Sequence, residues 1–283
     1  MIAIPARQPA RGFEGDERLA RAELLPRYED MTQDGRILLP SLMPGVGVAI
    51  WRNLLAHMPA LAAFRAQGIL PILRRLVLVA GEAGPFSVHA PIAFEGSWRL
   101  ARERGGERLF VNMWIDAYAP VGHSLGPPPA ETAPRVLVGR IFGEHVVTRP
   151  FASPEERKVT RLDIPGFPAV PEDEHDFEPG EALLGERPLE PLGTRVFGMM
   201  HTDPNQHVNS LVYPRMFEEM VLAEHADPAL LARGVELRWR RPFFAGDRAA
   251  IAWRRDGDSV VGAFAPAGAP SRPSCTLAMT LAR

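Results

Sequence analysis

His201-Thr202-Asp203-Pro204-Asn205-Gln206-His207-Val208-Asn209-Ser210-Leu211-Val212-Tyr213 is a polar turn running into an apolar-faced stretch. Asp203, Asn205, His207 and Asn209 recur at every second position. Beyond them Leu211, Met216, Phe217, Met220 and Val221 fall at helical spacing, which predicts a helix over 210–225. Pro214 falls in its first turn, where a missing N–H costs little, and Asp227-Pro228 ends it. A short strand, 194–200, precedes the turn. Two readings fit this chemistry. Asp and Asn ahead of a helix are ordinary caps for free N–H groups. The same helix end offers oriented donors and a positive partial charge, which would stabilise a carbonyl oxygen gaining negative charge. Asp203 or His207 would then activate a water, or Asp203 would attack directly.

Strand-like runs follow at 235–241, 248–255, 259–264 and 274–282. In the first of them Leu237 and Trp239 alternate with Glu236, Arg238 and Arg240, so the Leu237/Trp239 side is expected to be the buried one. The first half repeats this order. A short strand, 36–39, leads to a helix-like run, 48–67, which Pro59 would kink, and then to strands at 73–80, 86–102, 108–119 and 135–148. Trp51, Met58, Phe64, Trp98, Met113 and Trp114 would fill its core or line a pocket. One helix packed on an antiparallel sheet is an α+β layer architecture, present here in tandem. Between the halves, residues 164–191 hold six prolines and an acidic patch at 172–178, and predict an extended linker. The expected organisation is a flexible N-terminal tail at 1–30, a first domain at 31–163, the linker at 164–191 and a second domain at 192–283.

The turn resembles the Asp-x-Asn-Gln-His-Val-Asn-Asn-x-x-Tyr signature of the double-hotdog acyl-ACP thioesterases, in the superfamily of 4-hydroxybenzoyl-CoA thioesterase. Leu237-Arg238-Trp239-Arg240-Arg241-Pro242-Phe243-Phe244-Ala245-Gly246-Asp247 resembles the strand and turn that follow the hotdog helix in that group. The resemblance implies a tandem hotdog, each half an antiparallel sheet wrapped around one long helix. It implies hydrolysis of an acyl-CoA or acyl-ACP thioester without metal or redox cofactor. Asp203, Asn205 and His207 would be catalytic: Asp203 holding water or attacking, Asn205 positioning water or carbonyl, His207 supporting proton transfer. Asn209, as turn ligand, and Tyr213, as packing residue, would shape the substrate-binding region. The group's glutamate after an Arg-Arg pair is absent, since Arg240-Arg241 is followed by Pro242-Phe243. Pro44-Gly45-Val46-Gly47 stands where a second polar turn would fall, so the first half is expected to be catalytically degenerate. The departures leave two alternatives open: a non-catalytic acyl-thioester or acyl-carrier binding protein, or another hotdog activity such as a dehydratase.

The 283 residues are 46% hydrophobic and 23% charged with a net charge of −2, a globular composition with no bulk electrostatic case for nucleic acid or an acidic membrane. A single cysteine, Cys275, excludes an intramolecular disulfide and a Cys-rich zinc site. No apolar run approaches a membrane span, and the first residues lack a signal peptide's apolar core, so a cytoplasmic protein is expected. Gly122-His123-Ser124-Leu125-Gly126 matches a nucleophile elbow, but Pro127-Pro128-Pro129 forbids the helix that an elbow must open. His201 and His207 lack a glutamate at zincin spacing. His89 and His145 are the histidines a dehydratase site would draw on, and a satisfied strand histidine fits them too. Arg238, Arg240, Arg254 and Arg255 would meet the phosphates of CoA or an acidic carrier protein, or form a solvated strand face. A tandem repeat satisfies hotdog pairing within one chain, so monomer and homo-oligomer both remain open.

Overall fold

The computed structural model describes residues 2–7, 19–52, 59–82, 84–164, 167–225 and 230–282. The β-branched and aromatic runs of the first half form β1 (Leu19–Leu24), β2 (Leu70–Ala80), β3 (Ile92–Glu103), β4 (Leu109–Pro120) and β5 (Arg135–Thr148). β6 (Glu174–His175) follows, and then β7 (Glu190–Val196), β8 (Leu231–Trp239), β9 (Arg248–Asp256), β10 (Ser259–Pro266) and β11 (Cys275–Ala282). They make one sheet in the order β1-β3-β4-β5-β2-β8-β11-β10-β9-β7, with β6 parallel to β3 off its path. The order is palindromic: each half runs outward from its post-helical strand, β2 or β8. Those two strands pair antiparallel from Arg75↔Arg238 to Val79↔Gly234, so a pseudo-twofold axis passes through the seam.

One face of the sheet carries the helices. α2 (Val212–His225) buries Tyr213, Phe217, Met220 and Val221 against it, while Leu211 and Met216 are half-buried. Gly262 on β10 is where the ring of Phe217 lands, and a Cβ there would collide with it. Glu218 is also buried, and its Oε1 accepts the Ala232 N–H at 2.7 Å. Burial raises its pKa above the usual carboxylate value, since the neutral form is favoured out of water. In the first half the expected helix is split. A π-helical segment, Val46–Arg52, comes first and α1 (Pro59–Ala66) follows. Pro59 is the first residue of α1, a position that needs no N–H, rather than a kink inside a longer helix. Met58 lies outside the described residues.

The other face is covered too, which corrects the expectation that only the Leu237/Trp239 side of β8 is buried. Glu236 and Arg238 are as inaccessible as core residues. Val77, Trp114 and Phe142 form a second apolar cluster on that face, and Ile2 and Ile4 pack onto it. The Trp114 indole donates to the Pro5 carbonyl at 3.0 Å. The first thirty residues are therefore not simply a tail: residues 2–7 lie on the sheet, and β1 pairs with β3. The linker is docked as well. His175 Nε2 lies 2.5 Å from Glu144 Oε2, and its Nδ1 accepts from Asn112 Nδ2 at 3.2 Å. Phe167 packs on Phe64 and Trp98. β7 begins at Glu190, inside the stretch read as linker. Two expected strands are shorter: 36–39 keeps only the Met31↔Ile37 bridge, and β3 starts at Ile92, just after Pro91, which has no N–H for a ladder.

His145 on β5 faces the helix side, edge-on to Trp51 with ring centroids 5.4 Å apart. Burial pushes its pKa down to about 4, against hydrogen bonds with the backbone of Val111 and Gly143. The unfolded chain takes up a proton near 6.5 and the folded chain near 4. The stability this neutral imidazole contributes is therefore full above pH 6.5 and is lost as pH falls towards 4. Urea unfolding is expected to show a loss of about 3 kcal/mol across that window, and His145→Gln to remove that component from the profile.

Candidate functional site

The turn between β7 and α2 is closed by its own backbone. Thr202 bridges Val208, Asp203 N–H donates to the His207 carbonyl at 3.2 Å, and Gln206 N–H to the Asp203 carbonyl at 2.9 Å. Gln206 sits at φ 66°, in the left-handed region that most side chains avoid. Asn209 caps α2. Its Oδ1 accepts the Leu211 N–H at 2.8 Å, and its carbonyl accepts the Val212 N–H at 3.0 Å. Two donors expected to meet a substrate oxygen are thus taken inside the turn, and Pro214 has none to give. Asp203 also turns inward: Oδ1 accepts the Asn205 N–H at 2.8 Å and Oδ2 accepts Asn209 Nδ2 at 2.9 Å. Asp203 and His207 are half-buried and Asn205 is exposed. His207 Nδ1 donates to the Val208 carbonyl at 3.2 Å. That places the proton on Nδ1 and leaves the Nε2 lone pair, among the described residues, without a partner.

The second sequence motif is the clamp on the first. Val208 N–H donates to the Phe243 carbonyl at 2.8 Å, and the Tyr213 hydroxyl hydrogen-bonds the backbone of Phe243. Burial raises the pKa of that hydroxyl well above the ordinary phenol value. Phe243 stacks against Phe197 with centroids 5.0 Å apart, and Tyr213 stands edge-on to Trp239 and Phe264. Phe243 thus follows Pro242 where the resemblance would place a glutamate, and it supports the turn through its backbone and ring. Asn209 and Tyr213 are a cap and a packing residue in this geometry.

Of the two arginines expected to bind substrate, Arg238 is withdrawn from the surface. Its Nε donates to Glu236 Oε1 at 2.8 Å, Nη2 to Glu178 Oε2 at 2.7 Å and Nη1 to the Pro179 carbonyl at 3.0 Å. It lies beneath the docked linker, because its strand position faces the covered side of the sheet. Arg240 is exposed, with Nε on the Pro273 carbonyl at 3.1 Å. Glu144 and His145 point to opposite faces, as neighbours on a strand must, and His89 is an exposed loop residue bonded to the Ser124 carbonyl. Ser124 itself lies in the loop between β4 and β5. Among the described residues no cluster of His, Cys, Asp and Glu is arranged to hold a metal, and no helix is long and apolar enough to cross a membrane.

The counterpart of the turn in the first half is at residues 27–38, not at Pro44–Gly47. Residues 27–38 repeat the backbone hydrogen bonds made within 198–209. Thr32 N–H donates to the Arg36 carbonyl, Gly35 N–H to the Thr32 carbonyl and Leu38 N–H to the Asp30 carbonyl, as Asp203, Gln206 and Asn209 do to His207, Asp203 and His201. Even the entry repeats: Arg27 N–H donates to Asp30 Oδ2 at 2.9 Å, and Gly198 N–H to His201 Nδ1 at 3.0 Å. Gly35 at φ 80° occupies the place of Gln206. Thr32, Asp34 and Arg36 therefore stand where Asp203, Asn205 and His207 stand. The one available sequence signal was Asp34-Gly35, a common turn pair. Asp30, the counterpart of His201, is buried. Burial alone would raise its pKa, but hydrogen bonds from Arg27 and Ser41 outweigh that and hold it low. It also accepts from Arg215 in the first turn of α2 at 3.3 Å, a tie between the halves that the sequence did not disclose.

No protein-family model matches the chain, and no curated protein matches it. Solved structures do. An acyl-ACP thioesterase from Bacteroides thetaiotaomicron superposes with a TM-score of 0.66 at 12% identity, over 94% of this chain and 99% of that one. The 12:0-ACP thioesterase from Umbellularia californica superposes with a TM-score of 0.62 at 13% identity, over 96% and 99%. Identity that low carries the fold alone: the chain is an α+β double hotdog, built like those acyl-ACP thioesterases.

Proposed function

We propose that the chain hydrolyses an acyl thioester at the turn bearing Asp203, Asn205 and His207. The observation that carries this reading is the difference between the two copies of the turn. Closing the turn needs only its internal backbone bonds, and the first copy makes those with Thr32, Asp34, Gly35 and Arg36. Folding therefore does not demand a carboxylate, an amide and an imidazole in the second copy. It does not demand Gln206 in a left-handed conformation either, since glycine serves in the first. Such a surplus of polar groups and strain belongs with chemistry.

The groups divide the work as follows. A water held beside His207 gives its proton to Nε2 as its oxygen attacks the carbonyl carbon. The exposed Asn205 amide donates to the carbonyl oxygen as charge grows there. Asp203, held by Asn205 and Asn209, fixes the loop that carries both groups and orients the water. The C–S bond then breaks, and the proton passes from His207 to the leaving thiolate, giving a free acid and a thiol. Likeness to proteins named for acyl-carrier substrates, together with the burial of Arg238, favours an acyl-ACP over an acyl-CoA.

One observation favours a second reading, a non-catalytic acyl-thioester binder: both Asp203 oxygens already accept bonds inside the turn, as a cap's would. Thiol release from a panel of acyl-ACP and acyl-CoA substrates separates the two. For a hydrolase, the native chain turns over some substrate, and Asp203→Asn and His207→Gln each lose about a hundredfold, roughly 2.7 kcal/mol of barrier. Binding without thiol release by the native chain would establish the second reading. Gln206→Gly is expected to raise unfolding stability by roughly 0.5–1 kcal/mol in thermal or urea melts by relieving the left-handed backbone. A loss of stability there would show that the conformation is not strained.

A further inference from the structure

The repeated turn implies a second place equivalent to the surroundings of Asp203. The seam between β2 and β8 locates it: residues 202–209 lie at the C-terminal end of β8, where Val208 bonds Phe243, and the twofold places their counterpart, residues 31–38, at the C-terminal end of β2, beside the N-terminal end of β8. A cavity of about 170 Å³ lies there. Arg36 and Ile37 of the turn line it, with Ala80 at the end of β2 and Leu231 and Arg233 at the start of β8. Leu39, Phe86 and Val138 complete the apolar wall, and Glu82 is the one carboxylate on it.

The chemistry of this copy is inverted. Where Asp203 and His207 stand in the second turn, Thr32 and Arg36 stand here. Arg36 Nε donates to Asp34 Oδ2 at 2.7 Å, within the turn. Across the cavity, Arg233 Nη2 donates to the Gly81 carbonyl at 2.6 Å. Among the described residues the Arg233 guanidinium has no carboxylate partner. It is only half-exposed, so it presents a charge without an ion-pair partner on an apolar-walled space. Asp34 compensates Arg36 within its own turn, so the charges on the lining that form no ion pair among the described residues are the Arg233 guanidinium and the exposed Glu82 carboxylate.

We propose that this cavity is a non-hydrolytic binding site for a small organic carboxylate, its carboxylate on Arg233 with Arg36 beside it and its hydrocarbon against Leu39, Phe86, Val138 and Leu231. The cavity is smaller than the roughly 300–1,000 Å³ of sites for drug-sized ligands, so a short acid is the fit. The proposal does not depend on hydrolysis at Asp203.

Isothermal titration of the full chain with hexanoate, hexylamine and hexanol tests it. Hexanoate is expected to bind and hexylamine not to bind. Arg233→Gln weakens hexanoate by about tenfold or more, through loss of a charge-assisted bond. Ala80→Leu, which adds bulk to the lining, abolishes binding. Glu82→Gln removes the opposing charge at an exposed position and tightens hexanoate, so a variant with little risk to folding also reports. Absence of hexanoate binding, equal binding of the amine, or binding indifferent to Arg233→Gln and Ala80→Leu would overturn the proposal. Loss of binding in Asp203→Asn would also overturn it, by placing the acid in the other turn.

Discussion

Everything in this chain is arranged around five residue pairs. Arg75–Val79 of β2 lie against Arg238–Gly234 of β8, and this short antiparallel ladder joins the two halves into one sheet. A ladder has two faces. Leu76 and Leu78, with Val235 and Leu237, go under the helices. Arg75, Val77, Glu236 and Arg238 go to the other side, in the middle of a wide sheet and away from α2. Leaving Val77, Trp114 and Phe142 in water would forfeit about 25 cal/mol for each Å² of apolar surface. The chain covers them with residues 2–7, and it covers the charged part with the linker. Arg238 shows what that cover requires. A buried guanidinium is tolerable only if its donors are used, and Glu236, Glu178 and the Pro179 carbonyl use them. The proline-rich linker is thus a lid whose carbonyl and carboxylate are part of the sheet's charge balance.

The same seam imposes the twofold, and the twofold supplies a comparison inside one molecule. Residues 27–38 and 198–209 share a backbone hydrogen-bond pattern and no residue identity. What the two copies have in common is what the fold requires: a tight hairpin, one left-handed position, and a partner that accepts the N–H at the entry. What differs is what the fold leaves free. The first copy closes the same turn with Leu38 where Asn209 caps α2, and Leu38 makes no side-chain cap, so turn closure and helix capping are separable here.

The regular elements were legible because their signals were periodic. β5 occupies the expected range, α2 differs from its expected start by one turn or less, and the β8–β11 order follows from chain order. The misses share a cause. Periodicity cannot show that the second face of β8 is buried, since Glu236 and Arg238 look solvated when nothing in the sequence reveals the linker lying over them. Nor could it show the first turn: Thr32 and Arg36 do not resemble Asp203 and His207, and the repeat lives in main-chain bonds. Residues 2–7 are too few to carry a pattern, and what holds them is long-range contact with Val77, Trp114 and Phe142. The polar turn was legible in identity but not in orientation, because an Asp that caps and an Asp that reacts are written with the same letters.

A chain that contains both halves need not keep them alike, and the two turns have diverged in a coupled way. The position that holds an imidazole in the second copy, His201, holds the buried carboxylate Asp30 in the first. That carboxylate would be costly alone, and it is satisfied from both sides: by Arg27 within its own turn and by Arg215 from the first turn of α2. Arg215 also donates to Ser41 at 2.9 Å. The first turn is thereby pinned to the helix that the second turn caps, so the first loop helps to hold the second. In two identical chains the twofold would place a copy of every such anchor at the other turn as well. Within one chain the anchor sits on one side and the turn of Asp203, Asn205 and His207 on the other, and the seam between β2 and β8 keeps the two in register.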